Sequence, residues 1–350
     1  MKIQKAELAQ KIGKLKGIVP KKSTTPILQG ILVQDGYLIA SNTEMTVKAK
    51  LEGIGDECFI IPQKAFDLIN NLPDGEIEVI VEKNEVIAIK AKKIRNKYQA
   101  MNPELFPTNE VTEKNGTEFT ISSEILLESM KKILYSIQSQ ANNRIMTTMC
   151  LQAAEGILNF VGTDGHVLAW DKVDYEGEFT LLIPKTTVEK ILSLGISGEI
   201  SIRNNGNSAV FITDDYEIYT QLFAGEYYKY QQMFTGLPLH TVINRTEFLD
   251  AMTRAKACTD GQTPVKFELS GTTLNISIKD STTDYYETIA LQEALEQDIV
   301  IGFNVNLVIE TLKVFDCENV GIQLAGGRQP MIVEAEEGGF RALVLPIALK

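Results

Sequence analysis

The chain states one pattern three times, and that restricts its possible folds more than any other feature. In each third, a helix-like segment precedes a strand, a turn and a strand, and a second helix opened by Pro or Asn precedes another strand pair. The second helices open at Ile61-Pro62 before Ala65-Phe66-Asp67-Leu68-Ile69, at Ile183-Pro184 before Val188-Glu189-Lys190-Ile191-Leu192, and at Phe303-Asn304 before Leu307-Val308-Ile309-Glu310-Thr311-Leu312. Pro62, Pro184 and Asn304 are 122 and 120 residues apart, and the turns at Asp35-Gly36, Glu155-Gly156 and Ser270-Gly271 step by 120 and 115. Dividing 350 residues by three gives units of about 117, the size of a domain with its own core. The expected domains are residues 1–116, 117–240 and 241–350. Linkers are expected from Thr108 to Thr117, around Asn115-Gly116, and from Thr235 to Thr241, which holds Gly236 and Pro238.

Periodicity gives each unit its layers. Leu8, Ile12 and Leu15 form an i, i+4, i+7 stripe, while Val79, Val81, Val86, Ile87 and Ile89 mark strands around a Lys83-Asn84 turn. Leu126, Met130, Ile133 and Ile137, with Ile200, Ile202, Val210 and Ile212, repeat this in the second unit. Phe248, Leu249, Met252 and Ala255, with Val320, Ile322, Leu324, Met331 and Val333, repeat it in the third. The fold class is therefore α+β, each unit offering two helices to cover an antiparallel sheet.

Charge placement is more informative than its total. The chain carries 34 Lys and Arg against 46 Asp and Glu, a formal net of −12, which by itself argues against nucleic acid. Yet the six expected helical segments, 5–22, 62–72, 122–144, 184–194, 245–258 and 304–315, hold 16 basic and 8 acidic residues, a net of plus 8 that leaves minus 20 elsewhere. Basic helices on an acidic body focus a polyanion onto the helices. The candidate DNA-facing cations are Lys5, Lys11, Lys14, Lys16, Lys21, Lys22, Lys131, Lys132, Arg144, Lys185, Lys190, Arg254 and Lys256. Three two-helix units laid in an arc, helices inside, close into a ring when two chains join head to tail, with a basic lumen and no open sheet edges. Such an object holds the phosphate backbone without reading bases.

Other classes are poorly supported. No apolar run reaches the roughly 18 residues of a membrane span, and the start shows no signal-peptide pattern, so a cytoplasmic setting without a membrane partner is expected. Cys58, Cys150, Cys258 and Cys317 form no C-x-x-C, leaving neither zinc nor a disulfide framework. Nucleotide-binding and hydrolase motifs are missing, so no catalytic residue, metal or cofactor is expected. Asp164, Asp214 and Asp215 read as turn residues before they read as ligands of a metal-dependent hydrolase, and His166 as a turn histidine before a catalyst.

Gly162-Thr163-Asp164-Gly165-His166-Val167-Leu168-Ala169 resembles a signature of the second domain of the bacterial sliding clamps, the beta subunits of DNA polymerase III. Thr25-Pro26-Ile27-Leu28 with Asn42-Thr43-Glu44-Met45 resembles the first domain of that family. Ile301-Gly302-Phe303-Asn304-Val305, Cys317-Glu318-Asn319-Val320 and Leu343-Val344-Leu345-Pro346-Ile347 resemble the third. The resemblance implies a processivity factor that encircles duplex DNA as a homodimer and works with a clamp loader and a replicative polymerase; a scaffold of the same fold that never encircles DNA is the alternative. It further implies a partner-peptide groove formed by Thr163, Gly165, His166, Val167, Leu168, Tyr228, Gln232, Met233, Asn304, Leu307, Pro330, Leu343, Val344, Leu345, Pro346, Ile347 and Leu349. Phe106 of one chain is expected to face Ala257 and Cys258 of the other. Val167 and Gln232 stand where the family often has Arg, and Lys350 extends past the usual terminus, so the groove is expected to be less cationic than its relatives.

Overall fold

The structure is a computed structural model and describes residues 1–53, 55, 57–82, 86–107, 117–259 and 263–349. The expected Lys83-Asn84 turn, nearly all of the first linker and Lys350 lie outside the described residues.

Each third contains eight strands and two helices among the described residues. The first runs β1 (Lys2–Gln4), α1 (Lys5–Leu15), β2 (Gly30–Gln34), β3 (Tyr37–Ser41), β4 (Met45–Lys50), β5 (Phe59–Pro62), α2 (Phe66–Asn71), β6 (Glu76–Glu82), β7 (Val86–Ala91) and β8 (Ile94–Gln99). The second runs β9 (Thr117–Ser122), α3 (Ser123–Leu134), β10 (Thr148–Ala154), β11 (Ile157–Thr163), β12 (Val167–Asp174), β13 (Phe179–Pro184), α4 (Lys185–Leu194), β14 (Glu199–Asn204), β15 (Ser208–Ile212) and β16 (Tyr216–Gln221). The third runs β17 (Leu239–Asn244), α5 (Arg245–Ala257), β18 (Val265–Ser270), β19 (Thr273–Lys279), β20 (Asp284–Ala290), β21 (Ile299–Phe303), α6 (Val305–Val314), β22 (Asn319–Leu324), β23 (Met331–Ala335) and β24 (Arg341–Val344).

The predicted stripes are the buried helix faces. Leu8, Ile12 and Leu15 of α1, Leu126, Met130 and Ile133 of α3, and Phe248, Met252 and Ala255 of α5 are all buried. Asn244 and Asn304 cap α5 and α6 by accepting from the amides of Glu247 and Asn306. Two helices are shorter than their segments. α1 stops at Leu15 because Gly17 and Pro20 cannot continue it, so Lys16 only caps it and Lys21 and Lys22 lie beyond it. α3 stops at Leu134, after which the Ser136 hydroxyl bonds the Ile133 carbonyl, and Arg144 opens a separate 3-10 turn. The six helices therefore carry 11 basic and 8 acidic residues, a smaller excess than the longer segments implied.

Sheets extend across repeats and are not confined to one each. The chain forms two compact units, residues 1–126 with 189–222, and 127–188 with 223–350. The first unit holds a four-stranded sheet, β1-β6-β7-β8, and an eight-stranded one, β5-β2-β3-β4-β16-β15-β14-β9. The second holds an eight-stranded sheet, β13-β10-β11-β12-β24-β23-β22-β17, and a four-stranded one, β20-β19-β18-β21. All pairings are antiparallel, and each long sheet joins two repeats, through β4 with β16 or β12 with β24. One turn recurs ahead of β4, β12 and β20. The side-chain oxygen of Asn42 accepts from the amides of Glu44 and Met45, that of Asp164 from His166 and Val167, and that of Asp280 from Thr282 and Thr283, at 2.7–2.8 Å throughout. Asn and Asp favour such turns because a short polar side chain replaces backbone as acceptor.

Candidate functional site

β12 and β24 pair with Val167 opposite Val344 and Leu168 opposite Leu343. Side chains alternate along a strand, so Leu168 and Leu343 share a face and Val344 points to the other. The leucines floor a groove of about 310 Å³ lined by Met146, Thr163, Gly165, His166, Val167, Leu168, Tyr228, Met233, Leu343 and Leu345. The Asp164 turn builds one wall. Thr163 Oγ1 donates to the Val167 carbonyl at 2.7 Å, and Gly165 takes φ +87°, a left-handed conformation that suits glycine. A Cβ on Gly165 would stand 3.4 Å from Met146 Cε, so its small size also seats that methionine. Gln138 Nε2 braces the turn through the Asp164 carbonyl at 2.6 Å. The opposite rim is Tyr228, held by Asn143 Nδ2 at 2.8 Å and set edge-on to Tyr227.

Beneath the floor, Leu168 and Leu343 join Cys150, Val161, Leu182, Tyr230, Phe234 and Ile332 in one apolar cluster with Trp170 against it. Burial pushes the Cys150 thiol up to about 12 and raises the Tyr230 hydroxyl, so both stay neutral at physiological pH. The lining contains no Asp, Glu, Lys or Arg, and its chemistry suits apolar anchors registered by a few polar groups. No three His, Cys, Asp or Glu side chains gather as metal ligands among the described residues. Asp164 is spent on its turn, and Asp215 pairs with Lys11.

Nine expected groove residues converge on this cavity, and Met146 joins them unpredicted. The other expected members do not line it. Val344 is buried on the far side of β24, Asn304 caps α6, Leu307 is half-buried on α6, and Gln232 and Pro330 stand outside the lining. Past Leu345, whose amide bonds the His166 carbonyl at 2.8 Å, the tail with Pro346 leaves the groove. Ile347 bonds the Gly302 carbonyl at 2.8 Å, and Leu349 fills space that a Cβ on Gly302 would take.

The candidate DNA-facing cations divide into two sets. Lys5 pairs with Asp74, Lys11 with Asp215, Lys132 with Glu128 and Asp171, and Arg254 with Glu287. Lys14 donates to the Ser193 carbonyl at 2.8 Å while Lys190 donates to the Lys14 carbonyl at 2.9 Å, so α1 and α4 close each other's C-terminal ends. Lys185 reaches the Ile137 carbonyl at 2.5 Å, and the Arg144 guanidinium lies 5.9 Å from the Phe223 ring centroid. By contrast, the ammonium groups of Lys16, Lys21, Lys22, Lys131 and Lys256 have no hydrogen-bond or ion-pair partner among the described residues, and all five residues are exposed. Phe106, expected at the contact between chains, faces the core of its own unit. It is 4% exposed and packs on Ile27, Leu28, Leu32, Ile39 and Ile60 of its own unit, leaving little area for a second chain. Ala257 is exposed and Cys258 half-buried, at the end of α5.

The family profile described as the DNA polymerase III beta subunit, N-terminal domain, matches residues 1–110 and 117–229, and that of the C-terminal domain matches residues 238–348. The chain belongs to the DNA polymerase III beta subunit family. Among sliding clamps, that of Halalkalibacterium halodurans is 23% identical over 356 residues, covering 93% of this chain and 92% of the relative. The crystal structure of the DNA polymerase III subunit beta from Pseudomonas aeruginosa superposes with a TM-score of 0.92 at 22% identity, over 100% of both chains. The Pseudomonas aeruginosa clamp bound to griselimycin gives a TM-score of 0.92 at 22% identity, covering 100% of this chain and 99% of that one. The three-repeat clamp fold and the DNA sliding clamp function are thereby those of the family. Among the described residues no helix is long and apolar enough to cross a membrane.

Proposed function

We propose that this protein acts in the cytoplasm, without a catalytic centre, as a two-chain ring around duplex DNA, and that its groove tethers peptides of a replicative polymerase, a clamp loader and other partners. The observation that carries the reading is the pattern of paired and unpaired strands. β4 pairs with β16 and β12 with β24, but their counterparts β20 and β8 each end a four-stranded sheet. Exposed edges invite pairing, and two copies joined head to tail cover both under one two-fold axis.

The repeats supply the register. The three Asx turns align Met45, Val167 and Thr283. β8 and β16 have the same length, and each follows a short hairpin turn, so Ile94 aligns with Tyr216 and Gln99 with Gln221. Met45 opposite Thr220 then corresponds to Thr283 opposite Tyr98 of the second copy, Asp284 opposite its Lys97 and Tyr286 opposite its Arg95. The register sets Lys97, which also pairs with Glu82 of its own chain, opposite Asp284, which also pairs with Lys279, so opposite charges face each other across the joined edges. Phosphate contact falls to the five unpartnered lysines, with Lys21 and Lys22 adjacent in the loop after α1.

Solution mass across a dilution series tests the ring. Twice 38.9 kDa is expected, with Lys97→Glu shifting the balance to single chains and added Asp284→Lys restoring the pair. A single-chain mass at every concentration removes the premise. For the groove, calorimetry with a short peptide of Q-x-x-L-F type is expected to show one site per chain, and absence of binding contradicts the docking role.

A further inference from the structure

The chain has nine methionines. Met45, Met130, Met149, Met252 and Met331 are buried, Met1, Met101 and Met146 are half-buried, and Met233 alone is exposed, at 46%. That one stands in the groove, and Met146 lies in the same lining with its sulfur 3.7 Å from where a Cβ on Gly165 would be. The fold thus shields most of its thioethers and presents one, backed by a second, where apolar contact matters most. We propose that Met233, with Met146 behind it, is an oxidation site through which peroxide turns off peptide docking.

The chemistry is a two-electron oxygen transfer. The thioether sulfur attacks one peroxide oxygen, the O–O bond breaks, a sulfoxide S–O bond forms, and the other oxygen leaves as water after proton transfer. A flexible apolar side chain becomes a polar one that carries a strong acceptor oxygen. The lining offers it no Lys or Arg, and the Thr163 hydroxyl is already committed to the Val167 carbonyl, so the donors left for the new oxygen are the Tyr228 hydroxyl and the His166 ring, both of which border the space a peptide anchor would fill. Placing that dipole against a leucine or phenylalanine anchor costs binding, and a methionine sulfoxide reductase reverses it with two electrons from a dithiol reductant, which ends as a disulfide while the oxygen leaves as water.

The inference rests on the groove being a peptide dock, so the test begins there. Full-length protein is titrated with a fluorescein-labelled Q-x-x-L-F peptide before and after graded hydrogen peroxide, and peptide mapping follows each methionine. Untreated protein that fails to bind overturns the docking reading and the switch with it. The switch predicts that Met233 gains oxygen first and that affinity falls at least about tenfold in step with it. Reductase treatment should restore binding. In Met146→Leu/Met233→Leu, whatever its starting affinity, the ratio of treated to untreated binding should stay near one, whereas Met101→Leu should give no protection. Sulfoxide at Met233 with unchanged affinity, or an equal peroxide loss in the double variant, overturns the switch while leaving the dock intact.

Discussion

β4 meets β16 with Met45 opposite Thr220 and Thr46 opposite Tyr219, whereas β12 meets β24 with Val167 opposite Val344 and Leu168 opposite Leu343. Each junction follows an Asx turn, and each is extended by one further bond, from the Gln221 amide to the Glu44 carbonyl or from the Leu345 amide to the His166 carbonyl. The second is backed by an apolar cluster that holds Leu168 and Leu343 with Tyr230 and Phe234, while the Phe106 cluster of the first unit lies under β2, β3 and β5 and includes no residue of β4 or β16. The backbone is one design and the surfaces differ. Glu44, Thr46, Tyr219 and Gln221 make the first junction polar where His166, Leu168, Leu343 and Leu345 make the second apolar. Their helix sides differ as well: the Lys14 and Lys190 exchange closes the first, and the Tyr135 hydroxyl on Thr311 at 3.3 Å spans the second. The second joint thus carries an apolar groove on a backbone arrangement that the first joint shares.

Breaking the second joint outright should have the largest effect. Leu343→Asp puts a carboxylate into the buried cluster and should lower stability by at least about 3 kcal/mol in urea unfolding, taking peptide binding with it. Met233→Asp acts on the surface alone. Peptide affinity should fall roughly 10- to 100-fold by calorimetry while the unfolding midpoint stays put, because the side chain is half in solvent. Asn42→Ala and Asp164→Ala form a matched pair. Both should lose about 1 to 2 kcal/mol of stability as two backbone amides lose an acceptor, but only Asp164→Ala should weaken peptide binding. Equal peptide losses in the two would contradict the division of labour between the joints.

The smallest effect concerns the first joint's helix side. Burial first, and the Lys14 charge second, hold Lys190 below the ordinary lysine value of 10.5. The unfolded chain therefore binds this proton more readily, so stability should rise with pH between the lowered folded value and 10.5, with no contribution to the slope on either side. Lys190→Met should flatten that rise in unfolding curves measured from pH 8 to 11.

Much of this was legible in the residues. The repeat step, the helix stripes and the Thr163 to Leu168 turn showed because they are local patterns with fixed spacing. The sheets that weld adjacent repeats did not show, since pairing β4 with β16 joins strands about 170 residues apart and leaves no periodic trace. Met146 escaped notice for a related reason: its only signal is an apolar residue in a short turn after Asn143, and its role comes from the Asp164 loop folding against it. Val344 was misplaced by treating a strand as a continuous lining, when alternation sends it away from Leu343 and Leu345. Which candidate cations hold a partner within the chain was not legible, because a sequence shows charge but not the carbonyl or carboxylate beside it.

The central claim is that two copies close a ring around DNA by repeating, between chains, the strand pairing made twice within each chain. Retention on nicked circular DNA and on the same DNA cut once, after loading with clamp loader and ATP and at a salt concentration that suppresses simple electrostatic binding, tests it most directly. The account predicts that the protein stays on the circle and is lost when the circle is linearised, and that Lys97→Glu abolishes retention until Asp284→Lys is added. Equal retention on circular and linear DNA would contradict it.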